Sequence, residues 1–199
     1  MRGSTRIWPV VLPLALLAGC ATALAPVDVT RFHDEQVARQ GSVRLVPGDP
    51  ALAGSLEFRT TANAVAAALT RTGFSPVAEG AAGAQYEAVI DLARDTIQPA
   101  PGGRSPVSVG VGGSTGSYGS GLGVGIGINL SGKPKPVVAT RLRVQLRNAA
   151  DKKAIWEGRA ETQAKEGSPA AQPGLAAGKL ADALFQGFPG QSGATITVK

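Results

Sequence analysis

The sequence has one cysteine, one histidine and few aromatic residues, which make up 5% of its 199 residues. Because Cys20 is the only cysteine, the chain cannot form an internal disulfide. His33 has no second histidine or free cysteine with which to bind a metal ion or activate a nucleophile, so we interpret it as a surface residue. These shortages argue against a disulfide-stabilised protein, a metal site and an enzyme that uses a nucleophile with a base.

Glycine is abundant, with 27 residues, but its pattern does not predict a nucleotide-binding loop. Residues 127–133 match the opening of a phosphate-binding loop. However, Pro134 stands where Ser or Thr would bind magnesium, and the pattern that follows is that of a strand instead of a helix. We therefore predict that the protein binds no cofactor and is not an enzyme.

The first 20 residues have the order of an export signal. Arg2 and Arg6 precede an uncharged run, residues 7–17, that is too short to cross a bilayer as a mature helix. The run ends in four residues with the pattern of a lipobox: Leu17, Ala18, Gly19 and Cys20. Residues 1–19 are therefore interpreted as a signal peptide.

The lipobox resembles that of bacterial lipoproteins. The resemblance implies that Cys20 carries a diacylglycerol, that residues 1–19 are removed, and that the new N-terminus receives a further acyl chain. In such proteins an aspartate after the cysteine commonly causes retention at the inner membrane. Here Ala21 follows, which implies a lipid-anchored protein on the periplasmic face of the outer membrane. The alternative is cleavage after Ala23, which would discard Cys20 and release a soluble protein.

Removal of the signal peptide would leave a mild positive charge. The chain has 20 basic and 14 acidic residues, and loss of Arg2 and Arg6 would leave 18 basic residues and a net charge of +4. Residues 20–26 form a lipidated tether, whose six residues after the cysteine reach about 20 Å when extended. Residues 27–199 suffice for a single domain with its own core, which the tether would hold close to the membrane.

The periodicity of the apolar residues predicts an α+β domain. Helices are expected at 55–72 and 173–187, with Ser55 as the N-cap of the first and Gly73 as its end. Strands are expected at 27–32, 42–46, 86–93, 138–147, 154–162 and 194–198. We expect a mainly antiparallel sheet with both helices on one face and, in addition, a glycine-rich β-hairpin.

The hairpin is expected within residues 102–132, which form an arm on the domain. Residues 107–111 and 121–128 alternate at period two, and residues 112–120 between them are expected to be flexible. Glycines at alternate positions leave one side of the second strand almost bare, whereas its apolar residues fall on the other side. These apolar residues are the candidate contacts with a partner or with lipid: Leu122, Val124, Ile126 and Ile128.

Three interpretations of this arm remain open. Its apolar side packs under the helices as part of the core, which two-stranded ribbons often require. Alternatively, its flat side or an open edge associates with another chain or another copy. In the third interpretation the apolar side contacts lipid.

A basic segment follows the arm. Between Lys133 and Lys153 there are seven basic residues and one acidic residue, Asp151, which suggests a site for acidic lipid headgroups or nucleic acid. Glu157 and Glu161 on the next predicted strand can lie across from the arginines, so charge matching within the sheet is the favoured interpretation. Nucleic acid is not an expected partner in the periplasm.

Several of these features together resemble Gram-negative lipoproteins grouped as domain of unknown function 4136. The similarity covers nearly all of the chain after the signal peptide. It is carried by the lipobox, the helix ending in Gly73-Phe74, residues 105–110, the motif Ile155-Trp156-Glu157-Gly158 and the terminal helix. That family has no established activity, so the resemblance implies a location and a fold and transfers no catalytic residue.

The sequence thus favours a non-enzymatic outer-membrane lipoprotein that binds or scaffolds an envelope protein or associates with itself. The alternative is a carrier or sensor of an apolar ligand, such as a lipid, held between the helices and the hairpin.

Overall fold

The computed structural model describes residues 25–78, 81–99, 107–116, 119–128 and 135–199, and within 107–116 and 119–128 it describes the backbone. The lipobox and Cys20 lie outside these ranges. The strands are β1 Val27–His33, β2 Gly41–Pro47, β3 Phe74–Val77, β4 Tyr86–Ile97, β5 Val107–Gly116, β6 Gly119–Ile128, β7 Val137–Asn148, β8 Ala154–Lys165 and β9 Thr195–Val198; the helices are α1 Leu56–Arg71 and α2 Pro173–Phe185.

Seven strands form one sheet in the order β3-β2-β4-β7-β8-β1-β9. The α+β class is confirmed, but the sheet is mixed: β2 pairs in parallel with both β3 and β4, and the remaining pairs are antiparallel. The helix α1 connects β2 to β3 and returns the chain to the end of the sheet at which β2 begins. The strand β3 therefore runs in the same direction as β2 and pairs with it in parallel. The expected edge strand near the end of the chain is present as β9, which pairs with β1.

Both helices share one core with one face of the sheet, which we call the helix-covered face. Phe58 and Val65 of α1 and Leu180 of α2 belong to the same buried cluster as Leu142 and Trp156 of the strands. The first helix begins where the sequence predicts, because the Ser55 hydroxyl accepts a hydrogen bond from the Phe58 amide at 3.0 Å. Removal of these apolar side chains from water is the main stabilising term of the fold.

The second helix ends two residues earlier than predicted, at Phe185. Gln186 has an extended backbone and Gly187 has a φ of 68°, so the chain leaves the helix there. Phe188, which follows this turn, packs beside Trp156 and Phe74, with ring centroids 5.3 Å and 5.8 Å away, respectively.

A buried arginine from β1 caps the C-terminus of α2. The Arg31 side chain donates hydrogen bonds to the carbonyl oxygens of Ala183, Leu184 and Gln186 at 2.9–3.0 Å. Burial lowers the pKa of Arg31. These last carbonyls have no partner within a helix and carry its negative dipole end, so a guanidinium satisfies both requirements.

The motif Trp156-Glu157-Gly158 alternates between the two faces of the sheet. Trp156 is 1% exposed, stacks on Phe185 with centroids 5.2 Å apart, and donates its indole N–H to the Pro189 carbonyl at 3.1 Å. A Cβ at Gly158 would lie 2.3 Å from the Trp156 ring and 2.7 Å from Leu184. Glycine is therefore required for α2 to approach the indole closely.

The glycine-rich strands β5 and β6 form a separate two-stranded antiparallel sheet. They pair along the whole of their ten-residue lengths, from Val107 with Ile128 to Gly116 with Gly119. The strands therefore extend beyond residues 107–111 and 121–128 into residues 112–120, since the ladder continues through glycine-containing pairs such as Gly112 with Gly123. The hairpin itself is confirmed.

Candidate functional site

The sequence-predicted site residues fall in two groups. Cys20 and the lipobox residues Leu17, Ala18 and Gly19 lie outside the described residues. The candidate contact residues lie in β6, where the register pairs them with β5 as follows: Leu122 with Gly113, Val124 with Val111, Ile126 with Val109 and Ile128 with Val107.

The hairpin register separates apolar positions from glycine positions on both strands. Gly125 pairs with Gly110 and Gly127 with Ser108, between the apolar pairs. Because residues directly opposite each other share a face, one side of the ribbon carries all the valine, isoleucine and leucine positions together with Gly113, Thr115 and Ser120. The other side carries glycine and serine positions alone. The one-sided ribbon predicted from alternation is thus present in the backbone register.

Opposite the helix-covered face, the main sheet carries a lattice of charged side chains, which we call the charged face. Its members are Arg44, Glu87, Asp91, Asp95, Arg141, Arg143, Arg147, Glu157, Arg159 and Glu161, with Lys152 from the β7–β8 turn. Between β4 and β7 the antiparallel register places opposite charges across from each other, as with Glu87 and Arg147 and with Asp91 and Arg143. Between β7 and β8 it also places Arg143 opposite Arg159.

Glu87 is the most buried residue of the charged face. Although its place in the alternation predicts an outward position, it is 4% exposed, because three cations from three segments cover it. Arg44 of β2 contacts its Oε1 at 2.5 Å, Arg147 of β7 contacts its Oε2 at 2.9 Å, and Lys152 reaches Oε1 at 2.9 Å. Lys152 has a φ of 59°, the left-handed conformation, within a turn closed by its amide and the Asn148 carbonyl.

The cations outweigh the effect of burial on this carboxylate. Burial by itself raises the pKa of Glu87, but the hydrogen bonds from Lys152, Arg44 and Arg147 lower that pKa from an ordinary 4.5 to about 2. The group therefore remains negative throughout the physiological pH range.

A second, more exposed cluster lies on β7 and β8. Glu157 contacts Arg143 at 3.1 Å and Arg159 at 2.9 Å. Burial opposes the ionisation of Glu157, but hydrogen bonds from these two arginines lower its pKa overall. Arg141 lies opposite Glu161 in the register, yet its side chain forms an ion pair with Asp95 of β4.

Charge matching, the favoured interpretation of the basic segment, is thus confirmed in outline, with different partners in detail. Arg141 and Arg147 pair with carboxylates of β4 instead of the predicted β8 glutamates. Lys153 lies 3.9 Å from Asp34. Asp91 and Asp95 of β4 also lie on the charged face, and both are exposed. Within the described residues, no group of three or more His, Cys, Asp and Glu is arranged to hold a metal ion.

His33 has a structural role. It is half-buried, its Nε2 lies 3.0 Å from the Gly190 carbonyl oxygen, and its amide donates to the Ser192 hydroxyl at 3.0 Å. The interpretation of His33 as a simple surface residue is therefore incomplete, because the ring helps to hold the loop that follows α2.

A cleft that was not predicted from the sequence lies along the outer side of α2, and we call it the α2 cleft. Its lining includes the exposed first turn of the helix at Gly174 and Leu175, the small residue Gly178, and Ala25 at the start of the described chain. Its volume is about 1430 Å³, larger than the pockets of about 300–1,000 Å³ that enclose small ligands. The sequence contains an indication of this cleft, because apolar or small residues of α2 are not confined to its buried side.

The charges around the α2 cleft are mainly positive. Five basic residues from different parts of the chain line it: Arg39, Arg71, Lys165, Lys179 and Lys199. Asp182 is the one acidic side chain among the described lining residues, and it is paired with Arg71. Lys179 donates to the Ala25 carbonyl, and burial lowers the pKa of Lys179.

No helix among the described residues is long and apolar enough to cross a membrane.

Comparison with known proteins identifies relatives across most of the chain. A family model described as Domain of unknown function (DUF4136) matches residues 31–190. An uncharacterised protein of Zymomonas mobilis subsp. mobilis is 37% identical over 217 aligned positions, which cover 89% of this chain and 82% of the relative.

Comparison with solved structures gives two further matches. A PDZ domain protein from Parabacteroides distasonis matches with a TM-score of 0.50 and 11% identity, over 87% of this chain and 39% of that chain. The chain thus spans well under half of that protein. The PelC dodecamer from Paraburkholderia phytofirmans matches with a TM-score of 0.38 and 14% identity, over 79% of this chain and 93% of that chain.

Proposed function

This chain belongs to the Domain of unknown function (DUF4136) family, and we propose that it is a non-enzymatic lipoprotein anchored through Cys20 to the periplasmic face of the outer membrane. There it binds an envelope protein, or a second copy of itself, through the glycine-rich hairpin.

The hairpin is the observation that carries the binding role. β5 and β6 pair with each other, and neither belongs to the main sheet. A two-stranded ribbon is marginally stable alone in water. Among the described residues each of its strands pairs on one side only, so its other edge is a candidate for an added strand. An added strand at such an edge, or a surface against the apolar side, would supply the missing contacts.

The lipobox supports the anchor. Ala25, the first described residue, comes five residues after Cys20, a distance of at most about 18 Å in an extended chain. The strand that follows is fixed at once, since Val27 is fully buried and the Pro26 carbonyl accepts a hydrogen bond from the Thr162 hydroxyl at 2.9 Å. An anchor at Cys20 would therefore hold the whole domain at the membrane surface.

The state of the charged face supports a role without catalysis. General acid–base catalysis favours a group whose pKa lies near the working pH. The most buried carboxylate, Glu87, has a pKa of about 2 and is already held by three cations. Its geometry suits a structural ion cluster.

Replacement of Cys20 tests the anchor. In the Cys20→Ser variant we expect no acylated N-terminal peptide by mass spectrometry and loss of the protein from the outer-membrane fraction. Ala21→Asp is the matched control, because it preserves the cysteine and is expected to move an acylated protein to the inner membrane. A Cys20→Ser protein that stays firmly in the outer-membrane fraction would refute the anchor.

Photo-crosslinking in living cells tests the hairpin. A photoreactive amino acid at Val124 is expected to capture one defined envelope protein or a second copy of the chain, identified by mass spectrometry. The same probe at Ala93, an exposed position on the charged face, is expected to capture neither. Capture of lipid alone at Val124 would favour the lipid-carrier alternative, and crosslinks only within the chain would make the hairpin part of the core; either result contradicts the docking role.

A further inference from the structure

We propose that the α2 cleft rests on an anionic phospholipid surface, so that α2 is the membrane-facing side of the domain. This inference depends on the proposed lipid anchor, and it assigns a binding surface and a ligand class that the anchor alone does not.

The path of the chain brings α2 to the membrane. Ala25 lines the α2 cleft, and its carbonyl oxygen accepts a hydrogen bond from the Lys179 side chain. The point at which the chain enters the described domain is therefore fixed against α2. With at most about 18 Å of chain between Cys20 and Ala25, an acylated cysteine would keep this side of the domain within reach of the headgroups.

The cleft has an apolar element suited to the headgroup boundary. Leu175 lies in the first turn of α2 and is 57% exposed. Leu56 is not part of the cleft lining, but it begins the neighbouring helix α1 and is 75% exposed. The two helices begin side by side, since a Cβ at Gly174 would lie 3.8 Å from the Thr60 methyl group. Exposed leucines on a helix surface with basic neighbours are typical of interfacial membrane contact.

The charge of the cleft selects anionic lipid. Among its described lining residues the basic side chains exceed the acidic ones, because Asp182 is already paired with Arg71 and four further basic residues remain: Arg39, Lys165, Lys179 and Lys199. On the charged face, by contrast, Arg143 and Arg147 are held by glutamates. Basic residues close to a membrane attract anionic headgroups over about one Debye length. The cleft therefore offers positive charge next to the anchor.

A single label can measure the distance between α2 and the bilayer. Because Cys20 is the only natural cysteine and would be acylated, Leu175→Cys introduces one reactive thiol at an exposed position. The acylated protein, labelled there with a fluorophore, is reconstituted into vesicles of phosphatidylethanolamine and phosphatidylglycerol that contain nitroxide-labelled lipid. We expect strong quenching at this position and little at the matched control Ala93→Cys, on the opposite face of the sheet.

Charge variants test the choice of lipid. Quenching at the 175 position is expected to fall when phosphatidylglycerol is omitted. Lys165→Gln and Arg39→Gln should each lower the ratio of apposed to free domain by roughly fivefold. Glu161→Gln, on the charged face, is the control and should leave that ratio unchanged.

The outcomes separate this inference from the anchor. If mass spectrometry finds no acyl group on Cys20, the anchor itself fails and this inference fails with it. If the protein is acylated and bound to vesicles but the label at position 175 is not quenched, only the orientation is wrong. The inference is also overturned if quenching is stronger at position 93 than at position 175. It is overturned as well if quenching at position 175 does not change when phosphatidylglycerol is omitted or when the charge variants are used.

Discussion

The two faces of the main sheet are built from the same strands but are stabilised differently. On β7, Leu142, Val144 and Leu146 point into the core under the helices, whereas Arg141, Arg143 and Arg147 alternate with them on the charged face. The helix-covered face is stabilised by burial of apolar surface, and the charged face by ion pairs. Both faces of the central strands are largely occupied by contacts within the protein. We therefore expect binding surfaces away from them, at the hairpin and the α2 cleft.

The two faces differ in how much individual residues contribute to the free energy of unfolding. Large apolar side chains that are fully buried each contribute kilocalories to stability, and several of them lie on the helix-covered face. Exposed ion pairs contribute on the order of 0–1 kcal/mol. Glu87 departs from this pattern, since it is a buried carboxylate on the charged face. We expect many residues to contribute to stability on the helix-covered face, whereas on the charged face the contribution is concentrated at Glu87.

The largest expected effect is on the helix-covered face. Trp156→Ala removes a fully buried indole that contacts Phe185 and Phe188, and should lower the free energy of unfolding by about 3–5 kcal/mol. The measurement is urea denaturation followed by far-ultraviolet circular dichroism, since the variant lacks the indole whose fluorescence would otherwise report unfolding.

Trp156→Phe is the matched control for this substitution. It retains an aromatic ring and loses the hydrogen bond to Pro189, so its cost should be clearly smaller than that of the alanine variant. Equal losses in the two variants would show that the hydrogen bond, and not the packing of the indole, stabilises this face.

The next effect is at Glu87 and depends on pH. Because the pKa of Glu87 falls from 4.5 to about 2 in the folded protein, its ionised form contributes about 3 kcal/mol of stability. A lowered folded-state pKa means that this contribution is complete above about pH 4.5 and is lost as the pH falls towards 2. Glu87→Gln should therefore cost about 3 kcal/mol at pH 7.

The pH profile of unfolding provides the check. The stability difference between the natural protein and Glu87→Gln should narrow steadily below pH 4.5. Glu161→Gln, a more exposed glutamate on the same face, should change stability little at pH 7. If the cost of Glu87→Gln were the same at pH 3 as at pH 7, the three cations would not account for it.

Structural features that depend on residues close together in the sequence could be predicted from local patterns. The alternation of β7, the Ser55 cap and the one-sided register of the hairpin all follow from spacing or from a single capping interaction. The burial of Glu87 did not follow, because its cations come from β2, β7 and a turn 65 residues away along the chain. The parallel pairing of β2 and the cap that Arg31 provides for α2 were likewise invisible, since each depends on contacts between segments that are distant in sequence.

The smallest expected effect is the exposed ion pair between Arg141 and Asp95. Both side chains are more than half exposed, so water screens the pair and each side chain loses conformational freedom by forming it. A double-mutant cycle with Arg141→Ala and Asp95→Ala should give a coupling below about 1 kcal/mol. In the parallel cycle of Arg147→Ala with Glu87→Gln the coupling should be larger, because burial excludes water from that carboxylate. Equal couplings would remove the distinction, since the exposed part of the charged face would then stabilise the sheet as strongly as its one buried cluster.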